Sequence, residues 1–442
     1  MAALLRLRET FWLVPGLLCL LAAGLAQGLI VLDGAVDSDA WQGQAGTVVY
    51  LVGADGSRDL LSAIAGSMLA VASTTFSITI AVLALTSSSY GPRLVRNFMA
   101  DRGNQVVLGT YVATYLYALL VLRSIRTLDG GDEPFVPQLA VNGAVLLAVV
   151  SIGLLVWFIH HISDSIQVWT LAGRVHGELR TVVDDLYPEQ LGDGADPHRT
   201  GELVAAALAS APVTTVRASR GGYVLRVSSD DLLERAVAAD VVLELLVRPG
   251  SYVVEGGGLA RVHGPAAEPD GLADGVRRCL PLAAARSPFQ DVEFATQQLV
   301  ELAVRALSPG TNDPYTAVNA LDDLSDGLAA MARRRMPSPA RLDDDGAVRV
   351  VAPAVVLTDL VDMLVDAMRA YALDHPDVVI RTIDVLDRVG DGAHGTTRAH
   401  LAGQLELLVA HFERGDPHPH DAARVRARAS TVLGRLRTPV PT

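Results

Sequence analysis

The chain has 442 residues, half of them hydrophobic, and a formal net charge of −13 at neutral pH. This acidic balance argues against nucleic acid as a partner, because phosphate binding needs a basic face. The chain contains no lysine, which excludes a Schiff-base lysine, a phosphate-loop lysine and a lysine that carries biotin or lipoate. The two cysteines, Cys19 and Cys279, predict neither a disulfide framework nor a metal site of the CxxC type.

Four long apolar runs predict four membrane-spanning helices in a transmembrane domain over residues 1–163. The runs cover about residues 11–32, 61–88, 105–123 and 137–162. The first follows a basic N-terminus, as the apolar part of a signal peptide would, but its length favours an uncleaved span. We therefore expect a multi-pass membrane protein that contacts lipid, with an additional soluble part.

The second run lies in the longest charge-free stretch, from Leu60 to Pro92. Small and hydroxyl-bearing residues recur along it at steps of three and four, which places them on one helical face. We call this set the small-residue stripe: Ser67, Ala70, Thr74, Ser77, Ala81, Ala84 and Ser88. Such a face either packs closely against another helix or lines a hydrated path in an oligomer. Because no Asp, Glu, Lys or Arg lies inside the spans, Arg123 being at the edge of the third, active transport is not expected.

Arginine is unevenly distributed among the loops that flank the predicted spans. The N-terminus and the 93–102 loop are rich in arginine, whereas residues 33–59 contain only Arg58. Positively charged loops tend to stay in the cytoplasm. The pattern predicts a protein of the cytoplasmic membrane whose N-terminus and C-terminus both face the cytoplasm.

The fourth span ends in an aromatic and histidine-rich segment that includes His160 and His161. Histidine titrates near neutral pH, so this pair is a candidate interfacial switch, and Asp164 is placed to orient His160. Solvated interfacial histidines are the simpler interpretation, and a metal or haem ligand is the remaining alternative. No metal site and no cofactor is predicted elsewhere in the chain.

Beyond the spans, the sequence predicts an α+β soluble domain. A helical connector is expected over residues 164–210, and period-two alternation predicts a small β-barrel or sandwich over 211–264. Helical periodicity then returns and predicts a helical cytosolic domain over 265–437, followed by a disordered tail at 438–442. An interruption near residues 336–353 is expected to form a loop or a β-hairpin.

The segment RALSPGTNDPYTAVNAL, residues 305–321, is the most distinctive local signal. Ser308-Pro309-Gly310 predicts the end of one helix, and Asn312 or Asp313 followed by Pro314 predicts the start of the next. A helix start can also hold an anion or a polar ligand. The candidate ligand or interface residues are Asp291, Glu293, Arg305, Thr311, Asn312, Asp313 and Thr316. Ion pairing within the chain is the alternative role for the charged members.

Four segments together resemble a family of bacterial predicted membrane proteins catalogued as domain of unknown function 2254. The resemblance rests on TTFSITIAVLALTSSSYGPRLVRNFMADRGNQ, FIHHISDSIQV, RPGSYVVEGGGLARV and QDVEFATQQLVELAVRALSPGTNDPYTAVNALD. It extends from the first span to about residue 390, and SPGTNDPYTA is its most specific part. Membership implies a membrane location and a shared plan, but no activity, so no catalytic residue is carried over.

Three functional hypotheses remain open at the level of sequence. The first is a non-enzymatic homo-oligomer that acts as a channel-like or gating protein, with the second span at its axis and the soluble domain as regulator. The second is a membrane-anchored scaffold or sensor that binds a partner protein or a small ligand. The third is an enzyme at the membrane face that would use Asp291, Glu293 and Asn312. Because no catalytic motif is present, we expect no enzymatic activity.

Overall fold

The computed structural model describes residues 12–35, 53–90, 101–126, 135–165, 168–187, 197–209, 213–264, 271–334 and 336–438. The chain forms two compact units, Met1–Leu171 and Ala172–Thr442. We call them the membrane unit and the C-terminal unit. Part of the 93–102 loop and the tail beyond residue 438, on which sequence predictions were made, lie outside the described residues.

The membrane unit contains four helices that are long and apolar enough to cross a bilayer. They are α1 Leu13–Ala35, α2 Ala54–Tyr90, α3 Arg102–Ser124 and α4 Gln138–Ser165. These helices confirm the four predicted spans, although α2 begins seven residues earlier than the apolar run indicated. The early start follows because Asp55, Arg58 and Asp59 extend the helix without belonging to its apolar part.

Helix α3 is the centre of the membrane unit. More than half of its most apolar stretch is buried, against about a fifth in each of the other three spans. It packs against α1, α2 and α4. Gly109 allows the close approach of α1, because a Cβ atom there would lie 2.9 Å from the Cα of Pro15. The charge-free second span is therefore peripheral within its own chain.

Polar contacts between the spans fix their positions at one end of the membrane unit. The carboxylate of Asp33, near the end of α1, accepts hydrogen bonds from the backbone N–H groups of Leu139 and Ala140, at 3.1 and 3.0 Å. It thereby caps the N-terminus of α4 with a negative charge. The buried hydroxyl of Tyr117 donates to the carbonyl oxygen of Ala140 at 2.9 Å. Together these bonds hold α1, α3 and α4 in register.

The C-terminal unit contains two small sheets. Their strands are β1 Val213–Arg217, β2 Gly222–Val224, β3 Val242–Leu245, β4 Tyr252–Val253, β5 Gly258–His263, β6 Leu282–Ala283, β7 Ala340–Leu342 and β8 Val348–Val351. One sheet has the order β1-β5-β3-β8-β7 and the other has the order β4-β2-β6. The pairing is antiparallel except between β3 and β8.

The predicted barrel or sandwich confined to residues 211–264 is corrected by this topology. The five-stranded sheet is open among the described strands, with β1 and β7 at its edges. It also recruits the hairpin of β7 and β8 from far along the chain. Period-two alternation identified the strands correctly but carries no information about a partner roughly a hundred residues away.

The remaining elements are helices that surround the sheets or form a helical bundle. They are α5 Val168–Leu186, α6 Pro197–Leu208, α7 Ser229–Ala238, α8 Leu272–Cys279, α9 Val292–Ala306, α10 Pro314–Ala332, α11 Leu357–Tyr371, α12 Pro376–Gly392, α13 Gly395–Arg414 and α14 Pro419–Arg437. The bundle is built from α9 to α14, and its buried face is lined mainly by leucine, valine and alanine. Most described residues after 270 are helical, as the sequence predicted, and strands β6, β7 and β8 also lie in this part of the chain.

Candidate functional site

The small-residue stripe of α2 faces away from its own chain. Its described side chains are exposed: Ser67, Ala70, Thr74, Ser77, Ala81 and Ala84. The opposite side of α2 packs into the membrane unit through Leu61, Ile64, Met68 and Thr75, which are buried. The side chain of Ser88 lies outside the described residues. The stripe is thus available to lipid, water or another chain.

The hydroxyl groups of the stripe are satisfied by their own helix. Ser67 donates to the carbonyl oxygen of Ile64 at 3.0 Å, and Thr74 donates to that of Ala70 at 3.0 Å. Ser77 donates to the carbonyl oxygen of Ser73 at 2.9 Å. A hydroxyl bonded in this way places no uncompensated donor in an apolar environment. The stripe therefore presents a smooth surface on which a second helix can approach closely.

The two histidines of the predicted switch lie in different surroundings. Nε2 of His161 lies 3.1 Å from Oδ2 of Asp101, and its ring stacks on Trp157 with centroids 4.6 Å apart. Asp101 also caps α3 by accepting from the backbone N–H of Gly103 at 2.7 Å. His160 is exposed. Asp101 thus contacts His161, sixty residues later in the chain. The side chain of Asp164, the predicted partner of His160, lies outside the described residues.

Asp291 is buried at the N-terminus of α9, where it serves as a structural cap. It accepts from the backbone N–H of Phe294 at 2.9 Å and from the guanidinium group of Arg286 through two bonds of 2.7 Å. Gly250, at φ +85°, leaves room for this carboxylate, because a Cβ atom there would lie 2.1 Å from Oδ2. The Asp291 carboxylate therefore offers little free capacity to a ligand.

The two other charged candidates on α9 form ion pairs as well. Glu293 accepts from Arg248 at 2.5 Å, and Arg305 donates to Glu301 one turn earlier at 3.0 Å. Arg248 and Arg286 thus tie the turn around Gly250 and the loop before α9 to the start of that helix. The acidic candidate residues Asp291 and Glu293 thus help to position these backbone segments.

The segment from Ser308 to Thr316 is a self-contained loop that starts α10. Asp313 accepts from the backbone N–H of Thr316 at 3.1 Å and from its hydroxyl at 2.6 Å. These bonds, the hydroxyl bond foremost, hold the pKa of Asp313 below its usual value. Asn312 adopts φ +46°, a left-handed conformation that asparagine tolerates. The capping carboxylate already occupies the helix start, which disfavours a second anion there.

The structure does not bring all the candidate residues to one place. Asp291 and Asp313 lie at opposite ends of α9, which at 1.5 Å per residue is about 22 Å long. Thr311 and Asn312 are exposed beside Asp313, and Tyr315 at the same loop has 82% of its surface exposed. Among the described residues, no group of three or more His, Cys, Asp or Glu side chains is arranged to hold a metal ion.

Several polar residues inside the membrane unit were missed at the level of sequence. Asn104 and Tyr111 on α3 are buried, and their polar atoms have no hydrogen-bond partner among the described residues. Thr114 lies 3.2 Å from Ser151 of α4 through their hydroxyl oxygens. A signal was present, because polar side chains on a membrane-spanning helix usually face the interior of the bundle. The serine and threonine hydroxyls of the small-residue stripe are exceptions, because they bond to their own helix.

The chain matches the model of a family described as predicted membrane protein (DUF2254) over residues 8–388. The chain belongs to this family. Uncharacterized proteins of Mycobacterium bovis and Mycobacterium tuberculosis are each 31% identical over 449 residues, a match that spans 98% of this chain and 83% of each relative. No solved structure matches the chain at a significant level.

The region shared with this family includes both the spans and the loop before α10. The match begins ahead of α1 and ends within α12, so α13 and α14 lie beyond it. The family's description as a membrane protein agrees with the four apolar helices. It assigns no activity, and the site residues above must be interpreted from their own chemistry.

Proposed function

We propose that this protein is a non-enzymatic, oligomeric membrane protein with a channel-like or gating role. The observation that carries the proposal is the exposure of the small-residue stripe on α2. Four helices in one chain leave this surface uncovered, directly opposite the face that packs on α3. Copies that meet through their stripes would place the hydroxyl-bearing helix at a common axis.

The physical case for self-association rests on close packing. Without a hydrophobic driving force in lipid, helices associate through van der Waals contact, which small side chains permit at short range. Ser67, Thr74 and Ser77 bond to their own backbone, so burial of the stripe leaves no donor without a partner. The same hydroxyls can turn toward water where an axis is hydrated, which is the property a channel-like path requires.

The remaining parts of the proposal concern location and control. The arginine distribution supports insertion in the cytoplasmic membrane with both chain termini in the cytoplasm. The C-terminal unit would then be cytosolic and would regulate the membrane unit. Its first helix, α5, follows α4 in the chain after only residues 166 and 167.

Disulfide trapping in membranes tests the proposed axis. In a background with Cys19 and Cys279 replaced by alanine, Ser77→Cys is compared with Phe76→Cys. These neighbours lie at the same depth and are about 100° apart around the helix. We expect mild oxidation to produce a covalent dimer through position 77 and little through position 76. Equal trapping at both positions, or none at either, would contradict the proposal.

The channel-like role is tested separately in proteoliposomes. Fluxes of Na⁺, K⁺, Cl⁻ and protons are measured with the wild-type protein and with Ser77→Leu, whose larger side chain would obstruct a stripe-lined axis. We expect flux that the substitution reduces. Absence of flux for every ion from pH 5 to pH 8, in a sample that still traps through position 77, would leave oligomerisation standing and would refute conduction.

A scaffold or sensor role is the second candidate, and one observation favours it. Tyr315 is 82% exposed next to the most distinctive loop of the chain. A large exposed aromatic side chain at a rigid helix start suits a protein contact. Affinity capture from native membranes with wild-type protein and with Tyr315→Ala would test this role. A partner retained by both proteins would exclude Tyr315 as the contact.

A further inference from the structure

A cavity of about 270 Å³ lies in the C-terminal unit between α5 and the end of α10. Its lining residues are Arg180, Ala330, Arg333 and Arg334. Three of the four carry guanidinium groups, in a chain whose net charge is −13. We call it the arginine cavity. The hydrogen-bond and ion-pair partners of each arginine show how much of its charge is already neutralised within the chain.

Arg334 is held firmly by the C-terminal end of α5. Its Nη1 donates to the carbonyl oxygens of Val183 and Tyr187 at 2.7 and 2.8 Å, and Nη2 bonds to Asp184. Only 10% of its side chain is exposed. The charge of Arg334 is thus largely used by these carbonyl groups and by Asp184. Its role in the cavity is to form a rigid wall.

Arg180 is less fully engaged than Arg334. Its Nη1 lies 3.4 Å from Oδ2 of Asp326, and the same carboxylate oxygen lies 2.8 Å from Nε2 of His176. Asp326 is half exposed and is therefore shared between two partners and solvent. The guanidinium group of Arg180 keeps donors that this arrangement does not use, since arginine carries five.

Arg333 is exposed, and its guanidinium group has no ion-pair partner among the residues that the structure describes. Its stem is positioned by the end of α12, where Gly392 permits close contact: a Cβ atom there would lie 2.7 Å from Cγ of Arg333. Arg334 pairs with Asp184 and Arg180 with Asp326, so Arg333 is the one lining arginine without a carboxylate partner among the described residues.

We propose that the arginine cavity binds a phosphate group, either as a free phosphate or diphosphate or as the headgroup of an anionic lipid. Guanidinium groups match the geometry of phosphate oxygens and donate to them in pairs. The volume suits one or two phosphate groups and lies just below the range of pockets for drug-sized ligands. Arg333 and Arg180 supply the charge, and Arg334 supplies the wall.

Occupation of this cavity would couple two elements of the C-terminal unit. The phosphate would join Arg180 of α5 to Arg333 at the end of α10. Phosphate binding would give the C-terminal unit a way to exert its proposed regulatory role. Only this regulatory effect rests on the proposed function. Binding itself is a separate property, which is measured without reference to flux or to trapping through position 77.

Thermal unfolding of the full chain in a neutral detergent tests the proposal. The probes are inorganic phosphate, sodium pyrophosphate and dioctanoyl phosphatidic acid, all at the same ionic strength. Sodium chloride is the control for the two soluble anions, and dioctanoyl phosphatidylcholine is the control for the lipid. We expect a saturable rise in unfolding temperature with at least one phosphate probe. Arg333→Gln should weaken the apparent affinity by about tenfold or more, because it removes a charge-assisted contact. Arg426→Gln, an exposed arginine on α14, is the matched control.

The pattern of responses identifies the source of the phosphate group. Pyrophosphate and phosphatidic acid could both stabilise the wild type, with both effects lost in Arg333→Gln. That result would show that a phosphate group without a lipid tail is sufficient for binding. Stabilisation by phosphatidic acid alone, lost in the same variant, would assign a lipid headgroup. The proposal is overturned if no phosphate probe raises the unfolding temperature. It is also overturned if Arg333→Gln and Arg180→Gln, both folded, respond as the wild type does.

Discussion

Aspartate side chains do similar physical work at several helix starts of this chain. Asp101, Asp291 and Asp313 each accept a backbone N–H of the helix that they precede. Asp33 does so for α4 from the end of α1. A carboxylate at this position satisfies an orphan donor and interacts favourably with the helix dipole. Residues that look chemically reactive in the sequence are, in this structure, largely committed to the backbone.

Replacement of Asp313 tests its role as a cap. Asp313→Ala should lower the free energy of unfolding by about 1 kcal/mol at pH 7, whereas Asp313→Asn should retain much of it. Because the pKa of Asp313 is lowered in the folded state, its contribution is present above the unfolded pKa of about 3.9. It is lost as pH falls through the lower folded value. Urea unfolding followed by circular dichroism at several pH values measures the difference.

An unchanged unfolding free energy for Asp313→Ala, together with a loss of flux or partner binding, would instead identify Asp313 as a site residue. The comparison with Asp313→Asn separates the two roles. Asparagine preserves a hydrogen-bond acceptor for the backbone of Thr316 but removes the charge.

Two buried tyrosines of α3 provide a matched pair for a second prediction. Tyr117 donates to Ala140, whereas the hydroxyl of Tyr111 has no partner among the described residues. Tyr117→Phe should lower stability by about 1 kcal/mol, since it removes a buried hydrogen bond. Tyr111→Phe should leave stability unchanged or raise it by up to about 3 kcal/mol, since it removes an unpaired hydroxyl. Thermal unfolding in detergent compares them, and an equal loss in both variants would contradict the assignment.

Residue roles could be predicted from the sequence only where the partner is close along the chain. The cap at Asp313 was one of two alternatives before Pro314, and Thr316 lies three residues away. Asp33 contacts a residue 107 positions away in the sequence, in α4. His161 contacts a residue 60 positions away, at the start of α3. A hydrogen bond across that separation depends on helix packing, which one sequence does not encode locally.

At the scale of elements, helix contacts in the membrane unit depend on glycine at particular positions. A Cβ atom at Gly109 would lie 2.8 Å from Cδ1 of Leu18 and 2.9 Å from Cα of Pro15, whereas nothing lies within 4 Å at Gly24. Gly109→Ala should therefore separate α1 from α3 and cost about 1–3 kcal/mol, as overpacking does. Gly24→Ala should be neutral. Thermal unfolding of both variants in the same detergent measures the contrast, and equal stability would refute the close contact.

The elements themselves were largely predictable, and their arrangement was not. Apolar length identified the spans, and helical periodicity identified the helices after residue 270, because both signals reside within a single element. The barrel prediction was wrong because β3 pairs with β8, which no local pattern indicates. The sequence analysis also did not single out α3 as the most buried span, although its buried polar and aromatic residues mark it.

At the scale of the whole molecule, the ends of the spans support an alternating path across the membrane. Asp33 joins the end of α1 to the start of α4, and Arg58 near the start of α2 donates to the carbonyl oxygen of Ile125 after α3 at 3.3 Å. Together with the hydrogen bond from Tyr117 of α3 to Ala140 of α4, these contacts bring one end of each of the four helices to the same side. The end of α1 and the start of α2 lie on that side, and Arg58 is the only arginine in residues 33–59, so it is the side that we expect to face outward.

Cysteine labelling tests which side of the membrane the joined ends of the four helices face. In the background without Cys19 and Cys279, Ser38→Cys belongs to the arginine-poor segment 33–59 of the sequence, and Ser430→Cys lies on the exposed surface of α14. We expect a membrane-impermeant maleimide to label position 38 in intact cells and position 430 only after permeabilisation. The reason is that arginine in short loops resists transfer across the membrane, and the N-terminus and the 93–102 loop hold most of it. Labelling at position 430 in intact cells would place the C-terminal unit outside, where it would meet different ligands and partners.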